Sequence, residues 1–187
     1  MRTAFHVAAM ALLAAPVPAL ADDEARNAPI VVASAHGNCY ARSVPTGAYG
    51  NEGSTSVYVV DSGADPLVAT YGWYAPAMRL ECNVAGADGR VGVSIVQFGP
   101  WPRGSAADAE TLAFAFHRDG RLLRRYSTLD VAGRPDNVSV SVSHYTVVDA
   151  ILGYSWLSEN RYAFSVRSTD GRLLRFDAGT GEVLTDP

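Results

Sequence analysis

The sequence contains no lysine: all 15 of its basic residues are arginine. In a chain this rich in Ala and Gly, the arginines read as a composition bias and not as residues chosen for bidentate chemistry. The lack of lysine excludes an S-x-x-K nucleophile, and no G-x-S-x-G element follows the first 21 residues. Histidine is scarce as well, with four in the whole chain. There is no H-E-x-x-H pair, no loop of alternating oxygen ligands for calcium and no glycine loop entering a helix to cradle phosphate. No metal site and no cofactor is therefore expected. Past the first 21 residues no apolar run reaches the roughly 20 residues that a membrane-spanning helix needs.

What is present begins with MRTAFHVAAMALLAAPVPALADDEAR: a positive start at Arg2, an apolar run from Ala4 to Ala15 and a small-x-small ending at Ala19-Leu20-Ala21. That pattern is expected to be a cleaved secretory signal over residues 1–21, placing the protein in the periplasm or outside the cell. Removal takes away Arg2 and no acid, leaving 14 Arg against 19 Asp plus Glu, a net charge of −5. Such a surface has no electrostatic footprint for nucleic acid. Residues 22–187 are expected to form one domain, with 22–37 as a flexible lead-in. The two cysteines, Cys39 and Cys82, are expected to pair in that oxidising compartment, with two buried free thiols as the alternative. In RLECNV the alternation places Cys82 with Leu80 and Val84 on one face.

Periodic segments run almost everywhere at period two. VGVSIVQF sets Val91, Val93 and Ile95 on one face, LAFAF sets Leu112, Phe114 and Phe116, YAFSV sets Tyr162, Phe164 and Val166, and SVSVSH sets Val138, Val140 and Val142. Asp-Gly pairs at 88–89, 119–120 and 170–171 supply the positive φ of tight turns. SAADAETLA alone leans to helix, for one or two turns at most.

The text AF…DGRLLR, closed by an aromatic, occurs at 113–126 and again at 163–176, with a fainter copy in SVYVVDSGADPLVATY. Three hairpins of one design are expected, their arginines and leucines serving the scaffold. The stretch WLSENRYAFSVRSTDGRLLRFDAGTGEVL resembles one blade hairpin of the propeller repeats. Propellers need four or more blades, so three units do not close that ring. The expected fold is all-β: antiparallel sheets built from repeated β-hairpins, as a sandwich or a strongly curled, barrel-like sheet, with an incomplete blade array as the alternative.

His117 and His144 are the weak candidates for acid-base catalysis, His117 as an exposed strand end and His144 at a sheet rim where the face switches. The acids lie mostly in turns, which accounts for them without catalysis. Ring-bearing segments broken by Gly and Pro, Tyr71-Gly-Trp73-Tyr74 and Phe98-Gly-Pro-Trp101-Pro, offer Trp73, Tyr74 and Trp101 for recognition, beside Arg103. Against that, Trp101 and Trp156 read as equivalent core plugs of two repeats. The expected function is a non-catalytic binding or envelope-accessory module for a protein or glycan partner, with a small hydrolase of envelope polymers as the alternative.

Overall fold

A computed structural model describes residues 24–100 and 102–185. Three antiparallel sheets are stacked as layers, each a meander of neighbouring strands. The N-terminal sheet holds β1 (Ile30–Ala33), β2 (Cys39–Pro45), β3 (Gly53–Val59) and β4 (Leu67–Tyr71). The central sheet holds β5 (Met78–Ala85), β6 (Val91–Phe98), β7 (Leu112–Arg118) and β8 (Arg121–Ser127). A short helix α1 (Thr128–Ala132) and a two-stranded ribbon, β9 (Ser139–Val140) with β10 (Tyr145–Thr146), lead to the C-terminal sheet. That sheet comprises β11 (Val148–Ser158), β12 (Arg161–Ser168) and β13 (Leu173–Asp177).

The repeated text is the turning chain. β3–β4, β7–β8 and β12–β13 are the three expected hairpins, one in each sheet. Gly89, Gly120 and Gly171 take φ of +74°, +83° and +85° in their Asp-Gly turns, a region that suits glycine. Each hairpin ends on a ring that turns inward: Tyr71, Tyr126 and Phe176 all join the cores.

The central sheet is covered on both faces, and the alternation of β6 accounts for it. Val93 and Ile95 meet Ala41, Val57 and Tyr71 of the N-terminal sheet, whereas Val96 and Phe98 meet Phe164 and Val166 of the C-terminal one. The second interface is aromatic. Phe116 lies edge-on to Phe164 at 5.8 Å and beside Phe176 at 5.3 Å, geometries that add to the area each ring buries. Cys39 and Cys82 form a disulfide with Cα atoms 6.2 Å apart, tying β2 to β5 across the first interface.

Four expectations are corrected. Of the lead-in expected over 22–37, residues 22–23 lie outside the described residues. Within 24–37, β1 pairs in register with β2 and Asn27 Nδ2 donates to Gly50 O at 2.9 Å, so the described part is held against the sheet. SAADAETLA contains no helix. The helix forms instead at STLDVAG, where Ser127 and Asp130 make a capping box and Gly133 closes the C-terminus at φ +73°. SVSVSH is not a half-buried strand: only Ser139–Val140 is extended, and Val142 is 92% exposed at a turn. Trp156 is no core plug but lies on β11 at 69% exposure.

Candidate functional site

An apolar groove of about 370 Å³ opens at the rim where the central and C-terminal sheets meet. Its walls come from three chain segments: Pro76–Ala77 ahead of β5, the loop that leaves β6 at Phe98, and His144–Val148 running from β10 into β11. Leu112, Ala113 and Thr128 complete it. The loop departs there for a local reason. Gly99 N–H still donates to Ala113 O at 2.9 Å, but Pro100 and Pro102 have no N–H to continue the ladder. A Cβ on residue 99 would overlap the Leu112 carbonyl oxygen, so glycine is what permits this approach. Tyr145 N–H donates to Pro102 O at 3.0 Å and fastens the loop to β10.

Behind the groove wall lies a partly buried polar knot. Tyr145 Oη is 3.0 Å from Thr128 Oγ1 and donates to Asp108 Oδ2 at 3.3 Å. Asp108 N–H donates to Thr128 Oγ1 at 3.0 Å. The Thr111 backbone N–H and then its hydroxyl hold the Asp108 carboxyl below the usual carboxylate range. Asp108 is thus an ionised acceptor that organises the wall, and it does not line the groove. His144 is the one imidazole of the lining. Its Nδ1 lies 3.1 Å from Ser141 Oγ, and its carbonyl accepts from Ser141 N–H at 2.8 Å across the turn.

The other histidine candidate lies on the opposite face of the central sheet. His117 is 6% exposed, which corrects its reading as an exposed strand end. Its neighbour Phe116 faces the C-terminal sheet, so alternation turns the imidazole toward the N-terminal one, where Tyr71 and Trp73 cover it. Burial pushes its pKa down to about 4. His117 and His144 therefore share no site.

No family model, curated protein or solved structure matches this chain.

The aromatic candidates separate in the same way. Tyr74 is 2% exposed and its hydroxyl donates to Ala28 O at 3.0 Å, so its ring belongs to the core and offers no surface. Trp73 is half-buried, stacked on Tyr71 at 5.1 Å. Trp101 lies outside the described residues. Arg103 is exposed beside the groove loop and pairs with Glu24 at 2.8 Å, drawing the start of the described chain to that rim. What the sequence reading missed is the pairing of Y-A-P-A with F-G-P-W-P. Pro76, Pro100 and Pro102 come together in the groove, with Phe98 beside them. Two proline-broken segments, each flanking a predicted strand of one sheet, were the available signal. Among the described residues no group of three or more His, Cys, Asp or Glu side chains is placed to hold a metal ion, and no helix is long and apolar enough to cross a membrane.

Proposed function

We propose that this protein is a binding module of the secreted or envelope space that captures an apolar segment of a partner protein in the groove between Pro76, Phe98 and Val148. The observation that carries the reading is the lining itself: apolar side chains and prolines on three sides, a few hydroxyls and one imidazole, and no carboxylate or guanidinium. A glycan partner is the weaker fit, because sugar recognition calls for exposed ring faces and many donors. Tyr74 is buried, and Trp73 spends its face on Tyr71. The disulfide suits an oxidising compartment. The test is titration of the purified protein against fractionated envelope proteins and, separately, envelope polysaccharides. Saturable capture of a protein that is lost in Pro76→Arg, an exposed wall position, is the expected result. Capture indifferent to that change, or confined to polysaccharide, overturns the reading.

A second reading is favoured by one contact. Ser141 Oγ beside His144 Nδ1 is the arrangement of a hydroxyl and its base, next to a groove for an apolar substrate. A hydrolase of envelope polymers is the corresponding function. Ester or amide turnover by the purified protein, abolished in both Ser141→Ala and His144→Ala, would establish it.

A further inference from the structure

One imidazole joins the N-terminal sheet to the central sheet, on the face of the central sheet away from the groove. The Nε2–H of His117 on β7 donates to Gln97 Oε1 on β6 at 2.9 Å. The ring lies edge-on to Tyr71 at 5.2 Å and tilted against Trp73 at 5.1 Å. Tyr71 belongs to the N-terminal sheet, and Trp73 lies in the segment that leaves it. Tyr71 ends β4, and the Trp73 carbonyl accepts from Thr55 Oγ1 at 2.8 Å, itself 2.7 Å from Ser43 Oγ on β2. The chain then runs through Tyr74, held by Asn51 O at 2.8 Å, and Ala75 to Pro76 and Ala77 in the groove wall.

We propose that His117 is an acid-operated latch: protonation of its imidazole parts the Tyr71–Trp73 side of the N-terminal sheet from β7 and loosens the Pro76–Ala77 wall of the groove. The second half rests on the groove reading above. The latch itself does not.

A neutral ring suits this box, since one donor meets one amide oxygen and two aromatic faces enclose the rest. A proton adds a charge and a second donor, and no carboxylate awaits either. The groups facing the ring are Tyr71, Trp73 and Gln97. Ile95 and Leu122 flank it in register on β6 and β8. In the adjoining turn, Asp119 Oδ1 accepts from Val93 N–H at 3.0 Å, and its Oδ2 lies 3.3 Å from Arg118 Nε. Arg118 also meets Asp88 at 3.7 Å. The Tyr71 hydroxyl accepts from Gly120 N–H at 3.1 Å. The aromatic faces attract an imidazolium, but less strongly than water solvates it, so the charged ring is drawn toward solvent. The N-terminal sheet yields because the far face of the central sheet is pinned by the phenylalanine cluster. The Cys39–Cys82 bridge keeps the parted sheet tethered, which makes the opening local and reversible.

The test uses the full chain carrying Trp101→Phe and Trp156→Phe, so that Trp73 is its sole tryptophan. Emission and amide exchange are followed from about pH 7.5 to about pH 3.5. Trp73 emission is expected to move to the red in one transition below about pH 6, with amides 69–77 exchanging roughly tenfold faster or more while β12 stays protected. His117→Gln should abolish both changes. A transition that survives in His117→Gln overturns the latch, as does protection of 69–77 that persists until the whole chain unfolds. Should His117→Gln not fold, the imidazole Cε1–H resonance of the native chain decides the matter: titration near the ordinary value of about 6.5 without change at Trp73 overturns it. Partner capture at neutral pH is not read here, so the latch and the groove fail separately.

Discussion

The guanidinium of Arg172 reaches the C-terminus of α1, its Nη2 donating to Ala132 O at 2.8 Å. It also donates to Val131 O at 2.8 Å, while Nε pairs with Asp170 at 2.7 Å. A cation at the last carbonyls of a helix satisfies orphan acceptors. Arg121, the same letter in the other DGRLLR passage, instead lies at a surface depression with Asp88, Arg90 and Arg118. The shared text makes a hairpin in both places, but the turns differ. Asp119 and Gly120 both take positive φ between the paired Arg118 and Arg121, whereas in the second copy only Gly171 does and pairing resumes at Leu173, so the long side chains find different work.

Arg172→Ala should cost about 1 to 2 kcal/mol, the loss expected when two carbonyls forfeit a charged donor at a partly exposed site. Arg121→Ala should stay within about 0.5 kcal/mol of the parent. Urea denaturation of the two variants side by side measures the difference. Equal losses would mean that the repeated arginines have equivalent roles.

His117 makes global stability depend on pH. Its folded pKa of about 4 lies below the ordinary histidine value of about 6.5, so the unfolded chain binds the proton first. The contribution is therefore complete above about pH 6.5 and is lost as pH falls through about 4. The loss amounts to at most about 3 kcal/mol. In His117→Gln the slope of stability against pH over that window should flatten, as read from urea midpoints at several pH values.

Gly179 abuts the Ala85 backbone, where an added Cβ would meet the carbonyl oxygen of Ala85. This contact joins the end of the C-terminal sheet to β5, and backbone cannot move aside as a flexible side chain does. Gly179→Ala should cost about 2 kcal/mol or more, whereas Gly63→Ala, with open space at its Cβ, should cost little. Thermal unfolding of both variants supplies the comparison.

The Cys39–Cys82 bridge spans a sequence separation of 43 residues. Its removal in Cys39→Ala/Cys82→Ala should lower stability by about 4 kcal/mol through the freed entropy of the unfolded chain. The loosening should appear first in amide exchange at β1 and β2, because the phenylalanine cluster of the second interface does not involve them.

Period-two alternation and Asp-Gly pairs made the hairpins legible in the sequence, since both act through neighbours along the chain. Phe114, Phe116 and Phe164 could be assigned to a buried face for that reason, and Cys82 to the same face as Leu80. Alternation does not say whether the second face of a strand is also covered. His117 reads as surface until a third layer is known to lie over it. SVSVSH shows the opposite failure: it alternates as well as any strand here, yet only Ser139–Val140 pairs, with the two residues of β10, and Val142 stands in solvent.

The linear order of residues was enough to determine that this protein is a series of antiparallel hairpins with a pairable pair of cysteines, because turn chemistry and strand alternation are local properties. The stacking of three sheets decided the rest: which histidine is caged, which tryptophan is exposed and which prolines meet in a groove. Those outcomes depend on surfaces brought together from positions far apart in the chain. Burial and contact between such surfaces exist only once the layers have closed on one another.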